Sequence, residues 1–445
     1  MSSKLLIDSA LTIVTRFAGK AANLLVFVVL ARKLSIAEFG LYGYVATMAL
    51  LVATALDFGT RHSIGYYYPK LAGNESQVKF QAKLWILTFS TVGAVGFGWY
   101  IWSFVPGFSA WTVVIPSCLV IPGMLGIRIE QGVLLGQGRI KEYNSSEAWP
   151  RTLLLILTAA TFILDVITIQ VALWTLAVAY LVSAVRVACY NWVTPAMLSA
   201  GLAEFLSVSR KIILRGVKYF PGILLMVAAK RVNVVVVQDV LGPEGMGAYY
   251  GVMRLGEVVT EVALAVGVAL FAHSVRSSDQ SKAIVETAKI SRVSMAFLAV
   301  VSLIALATAD LIVPLMLGED YTPYVNLYRV AVLCTLVGAL WNLLTPVLYA
   351  AANPMLTFWL FLPGFMLNLG LTLVLVPRYG VLGAAYSLLI SQLVISASYL
   401  AVFRRKFNVG PLSLLVLRPS EVREMFALGL GKIGRKLASR KRGGR

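Results

Sequence analysis

Twelve apolar segments, each long enough to cross a lipid bilayer, dominate this 445-residue sequence. A membrane-spanning helix needs about 20 apolar residues, so the short connections between the segments leave no room for a large water-soluble domain. Of the residues, 59% are apolar and 13% are charged, whereas soluble proteins average about 45–50% and about 25%. The pattern predicts an all-α polytopic membrane protein and excludes a soluble enzyme. The predicted spans are 11–31, 40–60, 84–105, 111–135, 152–169, 171–193, 218–240, 246–272, 293–317, 327–350, 355–376 and 380–403.

Basic residues concentrate in alternate connections between these spans. Three or four of them follow each of spans two, four, six and eight, twelve lie after position 403, and Lys4 precedes span one. The connections on the opposite side contain only Arg32, Lys33 and Arg378. Because cytoplasmic connections are enriched in Lys and Arg, we expect a cell-membrane protein with both termini in the cytoplasm. The net charge of +19 therefore reflects membrane topology, and we expect no nucleic-acid partner.

A short motif occurs twice with a constant offset of 207 residues. The segment 34–42 aligns with 241–249, and each copy opens a predicted span, the second or the eighth. This offset predicts two six-helix lobes related by an axis along the membrane normal, with the substrate site between them. The predicted units are an N-terminal lobe (1–200), a cytoplasmic amphipathic linker (201–217), a C-terminal lobe (218–403) and a basic cytoplasmic tail (404–445).

The tail at 404–445 carries twelve Lys and Arg, two acidic residues and an amphipathic stretch. We expect it to contact anionic membrane lipids, and the alternative is a solvated tail that only sets the topology. The three cysteines lie in apolar runs without metal-ligand spacing, and no GxxxxGK[ST] phosphate loop occurs. We therefore expect neither a metal nor a cofactor.

Basic and amide side chains interrupt the apolar spans. In span one, Arg16, Lys20 and Asn23 recur at i, i+4 and i+7, and therefore lie on one helical face. A charge at the bilayer centre costs about 2.5–3.5 kcal/mol, so such groups should face protein or a water-filled cavity; the alternative in span one is that they reach the cytoplasmic interface. Because Arg and Lys bind phosphate well, the excess of cations favours an anionic substrate. The predicted cavity residues are Arg16, Lys20, Asn23, Lys230, Arg231, Asn233 and Arg254.

Acidic residues within the spans are fewer. Glu257 and Glu261 share a face of span eight with Arg254, and this set is either a structural ion-pair cluster or functional. Asp57 lies near the end of span two, where a role at the helix end is the alternative. We consider Asp57, Glu257 and Glu261 as candidates for ion coupling. Further charges in the spans are Arg128, Glu130 and Arg329.

Five short, glycine-rich motifs occur in order over nearly the whole chain. In this combination the sequence resembles the polysaccharide-biosynthesis or oligosaccharide flippases (Wzx-like) of the multidrug/oligosaccharidyl-lipid/polysaccharide (MOP) exporter superfamily. The motifs are ARKLSIAEFGLY at 31–42, LDFG at 56–59, LLGQGR at 134–139, LGPEGMGAY at 241–249 and VPRYGVLGAA at 376–385.

The resemblance implies a fold of two six-helix lobes around a V-shaped central cavity. It implies a secondary transporter, not an enzyme, that moves a lipid-linked oligosaccharide to the outer leaflet by alternating access. In relatives the cavity is cationic and receives the isoprenoid pyrophosphate, the role expected here of the cavity cations. Enzymes of polysaccharide assembly are implied as partners. Relatives often have an aspartate in span seven, where this chain has Asn233, which argues against cation coupling at that position.

Three other functions are alternatives. A drug/cation antiporter of the MATE type would need acidic groups facing organic cations, and the excess of Arg and Lys argues against it. Flippases of peptidoglycan precursors usually have fourteen spans, whereas twelve are predicted here. A multispan glycosyltransferase or glycan polymerase would need a large external loop with catalytic groups, whereas the connections are short and the only histidines are His62 and His273.

Overall fold

The computed structural model describes the backbone of residues 3–71, 73–105, 110–192, 202–274, 280–351, 355–417 and 421. Within these residues, the side chains of 3–17, 202–203, 259–274, 280–287 and 346–351 are not described. The described residues form helices and no strands. The helices are α1 Ser3–Lys33, α2 Ile36–Asp57, α3 Thr60–Tyr67, α4 Glu75–Phe104, α5 Trp111–Gly136, α6 Ile140–Ile163, α7 Ile169–Tyr190, α8 Leu202–Ser274, α9 Gln280–Ala307, α10 Ala309–Leu317, α11 Val325–Ala351, α12 Met355–Phe407 and α13 Leu412–Leu415, with 3-10 turns at Tyr68–Lys70 and Glu319–Tyr324.

Helices α8 and α12 each contain two spans that a glycine joins without a loop. Gly242 has φ 69° and Gly380 has φ 57°, a left-handed conformation that glycine adopts at little cost. Pro243 follows the first break, where its fixed φ and missing N–H suit the first turn of a new helix. We call residues 202–241 the first arm of α8 and residues 243–274 its second arm.

Counting both arms of α8 and of α12, the described chain contains twelve long helical segments. Eight of its helices are long and apolar enough to cross a membrane, and the two broken helices are among them. The predicted all-α, multi-pass membrane architecture is therefore confirmed.

Two predicted spans differ from the helices in the structure. Helix α6 begins at Ile140 instead of 152, because its polar first turns are buried against protein: Asn144 and Ser146 are at most 4% exposed. The predicted span 293–317 is divided between α9 and α10, with a break at Thr308. The apolar pattern reveals neither feature. Polar turns look like a connecting loop even when protein buries them, and two apolar helices with a short break between them look like one span.

The turn between α1 and α2 is fixed by a capping box. The Ser35 side chain accepts a hydrogen bond from the Glu38 backbone N–H at 3.3 Å, and the Glu38 carboxylate accepts one from the Ser35 N–H at 3.1 Å. These two bonds satisfy amides that would otherwise be left free at the helix start. They fix where α2 begins, and Gly40 follows in its first two turns.

Helix α2 and the second arm of α8 touch through their backbones. A Cβ atom on Gly40 would lie 2.1 Å from the Pro243 carbonyl oxygen, and one on Gly247 would lie 1.8 Å from the Ile36 carbonyl oxygen. Residues 36 and 40 correspond to 243 and 247 by the 207-residue offset, so the two contacts are reciprocal, as a two-fold axis between the lobes would require. One turn further along, Gly43 leaves room for the ring of Tyr250.

The beginning of α8 closes a second contact between the lobes. Residues 202–217, expected as a linker, are helical in the structure and continuous with the following span. The Ser63 hydroxyl donates to the Ile212 carbonyl at 2.6 Å, and the rings of Phe58 and Phe220 stack with centroids 4.7 Å apart. The first arm of α8 is therefore attached to α2 and α3 at the end of α2 opposite Gly40.

The chain after α12 folds back onto the C-terminal lobe. Leu414 in α13 is fully buried among aromatic residues of α11 and α12, including Trp341. The Arg292 guanidinium in α9 binds both carboxylate oxygens of Glu421. Residues 422–445 lie outside the described part of the chain, so the expected contact of the tail with anionic lipids stays a prediction.

We expect Gly247→Ala to destabilise the protein by about 1–3 kcal/mol, because the new methyl group would overlap the Ile36 carbonyl and force the backbones apart. Gly96→Ala is the matched control: Gly96 also lies within a helix, but its Cβ would meet nothing within 4 Å, so the change should be neutral or slightly stabilising. Thermal unfolding in detergent compares the two variants. Equal melting temperatures would contradict the close packing of α2 on α8.

Candidate functional site

A cavity of about 350 Å³ lies between the helices of the N-terminal lobe and the second arm of α8. Helices α1, α2, α5, α6 and α7 form its walls together with α8, and α3 contributes one arginine. Its polar and aromatic lining residues are Lys20, Asn23, Phe27, Tyr42, Arg61, Arg128, Gln131, Ser146, Glu147, Arg151, Tyr180, Tyr250, Arg254 and Glu257.

Helical spacing brings these groups to one space. On α1, Lys20, Asn23 and Phe27 follow each other at i, i+3 and i+7, and on α8 Tyr250, Arg254 and Glu257 do so at i, i+4 and i+7. Residues at this spacing share one helical face. The polar face of each helix therefore turns toward the cavity and away from lipid.

Cations outnumber acids in the cavity lining. Five basic residues line it, from α1, α3, α5, α6 and α8, against the two carboxylates of Glu147 and Glu257. Such charges are costly in a bilayer unless they are paired or reach water, so the cavity is where the fold can accommodate them. The basic residues are Lys20, Arg61, Arg128, Arg151 and Arg254.

Glu257 is held between two arginines. Its carboxylate lies 2.9 Å from the Arg231 guanidinium on the first arm of α8 and 2.6 Å from that of Arg254 on the second arm. The side chains of Arg254 and Glu257 are 35% and 34% exposed, whereas that of Arg231 is 16% exposed. One carboxylate thus balances two guanidiniums, which leaves this part of the site with an excess positive charge.

Asp57 forms a second ion pair beside the cavity. Its side chain is 1% exposed and lies 3.3 Å from the Arg128 guanidinium. It also accepts a hydrogen bond from the backbone N–H of Arg61 at 2.9 Å. The second bond caps the first turn of α3. Asp57, a candidate for ion coupling, is therefore a buried carboxylate with two polar partners at the junction of α2 and α3.

Arg61 and Arg151 bring charge to the cavity without a carboxylate partner among the described residues. The Arg61 guanidinium donates to the Tyr143 hydroxyl and lies 5.6 Å from the centre of that ring. A guanidinium at a cavity wall that is not paired with a carboxylate is suited to bind an anion. These two arginines are therefore the strongest candidates for contact with an anionic ligand.

Two of the expected cavity residues lie elsewhere, in the C-terminal lobe. The Lys230 ammonium lies 4.3 Å from the Trp341 ring centre and 3.5 Å from the Asn342 side-chain oxygen. Asn233 is fully buried and exchanges hydrogen bonds with Asn368 on α12, at 2.7 and 3.0 Å. Neither residue lines the cavity; Asn233 instead ties α8 to α12.

Of the other residues expected at the site, the structure brings Lys20, Asn23, Arg254 and Glu257 together at the cavity, with Arg231 behind Glu257. Arg16 lies in α1 and Glu261 in α8, but their side chains fall outside the described residues.

Sequence reasoning did not select Arg61 and Arg151 as site residues. Both were counted among the cations of cytoplasmic connections, which they resemble in sequence because α3 and the first turns of α6 are polar. One available signal was the i, i+4 spacing of Glu147 and Arg151, which places both on one face of a helix. That signal identifies a polar face, but it does not show that the face lines a cavity.

No family model matches this chain, and no curated protein matches it. Solved structures do match over most of its length. An inward-facing multidrug resistance MATE transporter of the MOP superfamily has a TM-score of 0.61 at 14% identity, covering 88% of this chain and 94% of the other. The lipid II flippase MurJ in an inward closed conformation has a TM-score of 0.65 at 11% identity, covering 91% and 89%.

A third similar structure is a MOP-superfamily transporter from Pyrococcus furiosus, described by a reverse polarity of its binding pocket that suggests a different function. Its TM-score is 0.57 at 13% identity, and the match covers 91% of this chain and 96% of the other. Identities this low show the fold alone. The fold implied by the resemblance of the motifs, that of MOP-superfamily transporters, is thereby confirmed.

We expect Asp57→Ala to destabilise the protein by about 3–5 kcal/mol, because it leaves Arg128 without its carboxylate partner at a largely buried position. The matched control is Asp310→Ala, which breaks the ion pair with Arg329 at an exposed position, where the two side chains are 72% and 41% exposed. That pair should contribute less than about 1 kcal/mol. Unfolding measurements in detergent that gave similar losses for both variants would contradict the buried role of Asp57.

Proposed function

We propose that this protein is a secondary transporter that moves an isoprenoid-pyrophosphate-linked oligosaccharide from the cytoplasmic to the outer leaflet by alternating access. The observation that carries the proposal is the charge of the cavity, with five basic residues against two carboxylates. Pyrophosphate is a small, multiply charged anion, and guanidinium groups bind it through charge-assisted hydrogen bonds. The reaction is a movement without bond cleavage, so no catalytic residue is required.

The cavity lining contains groups suited to each of the two polar parts of such a substrate. The phosphates are bound by Arg61 and Arg151, which have no carboxylate partner in the described chain, and by Lys20 on the facing helix. The rings and hydroxyls of Tyr180 and Tyr250 suit sugar groups, which present both apolar faces and hydroxyls. A volume of about 350 Å³ accommodates a headgroup, and the isoprenoid chain would stay in the lipid.

The basic residues in the connections indicate which side of the membrane this cavity faces. If the basic connections are cytoplasmic, Arg61 and Arg151 lie toward the cytoplasm, and the Gly40–Gly247 contact closes the outer side. A substrate would then enter from the cytoplasmic leaflet. Transport would require the lobes to separate at Gly40 and Gly247, in the rocking movement common to transporters built from repeats.

The membrane potential favours export of such a substrate. Moving one negative charge outward across an inside-negative membrane releases about 2.3 kcal/mol per 100 mV. No ATP-binding motif is needed, and coupling to a counter-ion is optional.

Cation antiport is the competing function, since a multidrug MATE transporter shares the fold as the lipid II flippase does. An antiporter of organic cations needs an accessible carboxylate in its cavity. Glu257 is already neutralised by Arg231 and Arg254, and the cavity is positively charged overall. The charge of the site therefore favours an anionic substrate over an organic cation.

The proposal extends to the surroundings of the protein. We place it in the cell membrane with both termini in the cytoplasm, where the basic residues after position 403 meet anionic lipids. Enzymes that assemble the polysaccharide are the partners that such a transporter would supply.

The test compares binding of farnesyl pyrophosphate and of tetraphenylphosphonium to the purified protein by native mass spectrometry. We expect farnesyl pyrophosphate to bind, and the double variant Arg61→Gln/Arg151→Gln to bind it at least about tenfold more weakly, because a hydrogen bond to a charged group contributes about 1.5–3 kcal/mol.

The double variant Lys33→Gln/Arg378→Gln is the control, because it removes the same charge from exposed positions away from the cavity. It should bind farnesyl pyrophosphate like the wild type. Binding of tetraphenylphosphonium in place of farnesyl pyrophosphate would overturn the flippase proposal in favour of cation antiport.

A further inference from the structure

One carboxylate occupies the position between two arginines that an anionic ligand would take. The two oxygens of Glu257 reach guanidinium groups on different arms of α8, at 2.9 Å for Arg231 and 2.6 Å for Arg254. A phosphate oxygen offers the same acceptor geometry to a guanidinium as a carboxylate oxygen does. Arg254 and Glu257 both line the cavity, so a ligand in the cavity can reach this pair.

We propose that Glu257 is an internal counter-anion that competes with the substrate for Arg231 and Arg254, and that it thereby sets the affinity that an anion must have to occupy this position. This inference rests on the proposed function, because it assumes that the cavity binds a phosphate group. In the empty cavity Glu257 neutralises part of the arginine pair. When the substrate binds, its phosphate oxygens replace the carboxylate, and when the substrate leaves, the carboxylate returns.

Exposure distinguishes Glu257 from Asp57, a second ion-paired carboxylate beside the cavity. The Glu257 side chain is 34% exposed, so its carboxylate can rotate into the cavity without itself becoming buried and unpaired, while the phosphate of the ligand takes its place beside Arg231. Asp57 is 1% exposed and also accepts the backbone N–H of Arg61. Displacing Asp57 would break a helix cap and leave Arg128 largely buried and unpaired. Of these two carboxylates, Glu257 is therefore the exchangeable one.

Competition of this kind weakens the binding of every anion at this position by the same factor, because each anion must displace the same carboxylate from two guanidiniums. The ratio of the affinities of two anions is therefore unchanged, but both affinities fall. An anion with few acceptor oxygens then binds too weakly to occupy the position at low concentration, whereas a pyrophosphate, which has more charge and more acceptor oxygens, still binds.

The test measures the binding of farnesyl pyrophosphate and farnesyl monophosphate to the full-length protein in detergent. We expect Glu257→Gln to bind farnesyl monophosphate about three- to tenfold more tightly than the wild type does. The gain for farnesyl pyrophosphate should be about the same, because both ligands displace the same carboxylate.

Glu147→Gln is the matched control for the general field of the cavity. It removes the same charge from another lining residue, on α6. If the effect of Glu257 were only its contribution to the net charge, both variants would tighten binding to the same extent, and in both the gain would be larger for the more highly charged farnesyl pyrophosphate. That result would overturn the inference.

The double variant Arg231→Gln/Glu257→Gln keeps the net charge of the wild type and avoids leaving two arginines unpaired, so it serves if Glu257→Gln does not fold. It frees Arg254, so we expect it still to bind farnesyl monophosphate more tightly than the wild type does. Unchanged or weaker binding would contradict competition by Glu257. Binding of farnesyl pyrophosphate by the wild type with no gain in the variants overturns this inference alone, whereas absence of binding in all proteins overturns the proposed function as well.

Discussion

The backbone contact between α2 and the second arm of α8 is the constraint on which the arrangement of the two lobes depends. At Gly40 and Gly247 the helices approach so closely that a single methyl group would overlap a carbonyl oxygen of the other lobe. Close packing through small residues is the usual way for helices to associate in lipid, where apolar surface alone gives no preference for protein. The same approach lets Tyr250 pack over Gly43, so the contact also forms one end of the cavity.

The composition of the cavity follows from the cost of charge in a membrane. Basic residues on five helices would be expensive against lipid, and the fold turns them to a common space where they reach water or a partner. Their compensation is uneven: Asp57 is buried with Arg128, Glu257 is shared by Arg231 and Arg254 at the cavity surface, and two other arginines have no carboxylate partner among the described residues. This unevenness separates structural ion pairs from groups available to a ligand.

The sequence predicts the fold well and the site in part. Apolar segments mark the spans because each is longer than a bilayer is thick, and they fail at α6, where buried polar turns such as Ser146 extend the helix beyond the apolar run. Lys20 and Arg254 are expected at one cavity because charge in a span has few other places to go, and both line the same cavity in the structure. Lys230 and Asn233 are as polar and as central in their span, yet they face Trp341 and Asn368 in the C-terminal lobe, because helix rotation depends on neighbouring helices.

By itself the sequence determined that the chain is helical and crosses the membrane many times, and the repeat is visible in it as a 207-residue offset. Hydrophobic length and motif spacing can be read directly because they are properties of the linear chain. Only the tertiary structure decided which charges share a space. Arg61 and Arg151 look like loop cations in the sequence, and Glu257 looks like any acid beside an arginine. Packing brings the first two into the cavity and places Glu257 between residues 26 positions and three positions away, since distance in the fold depends on how the helices cross.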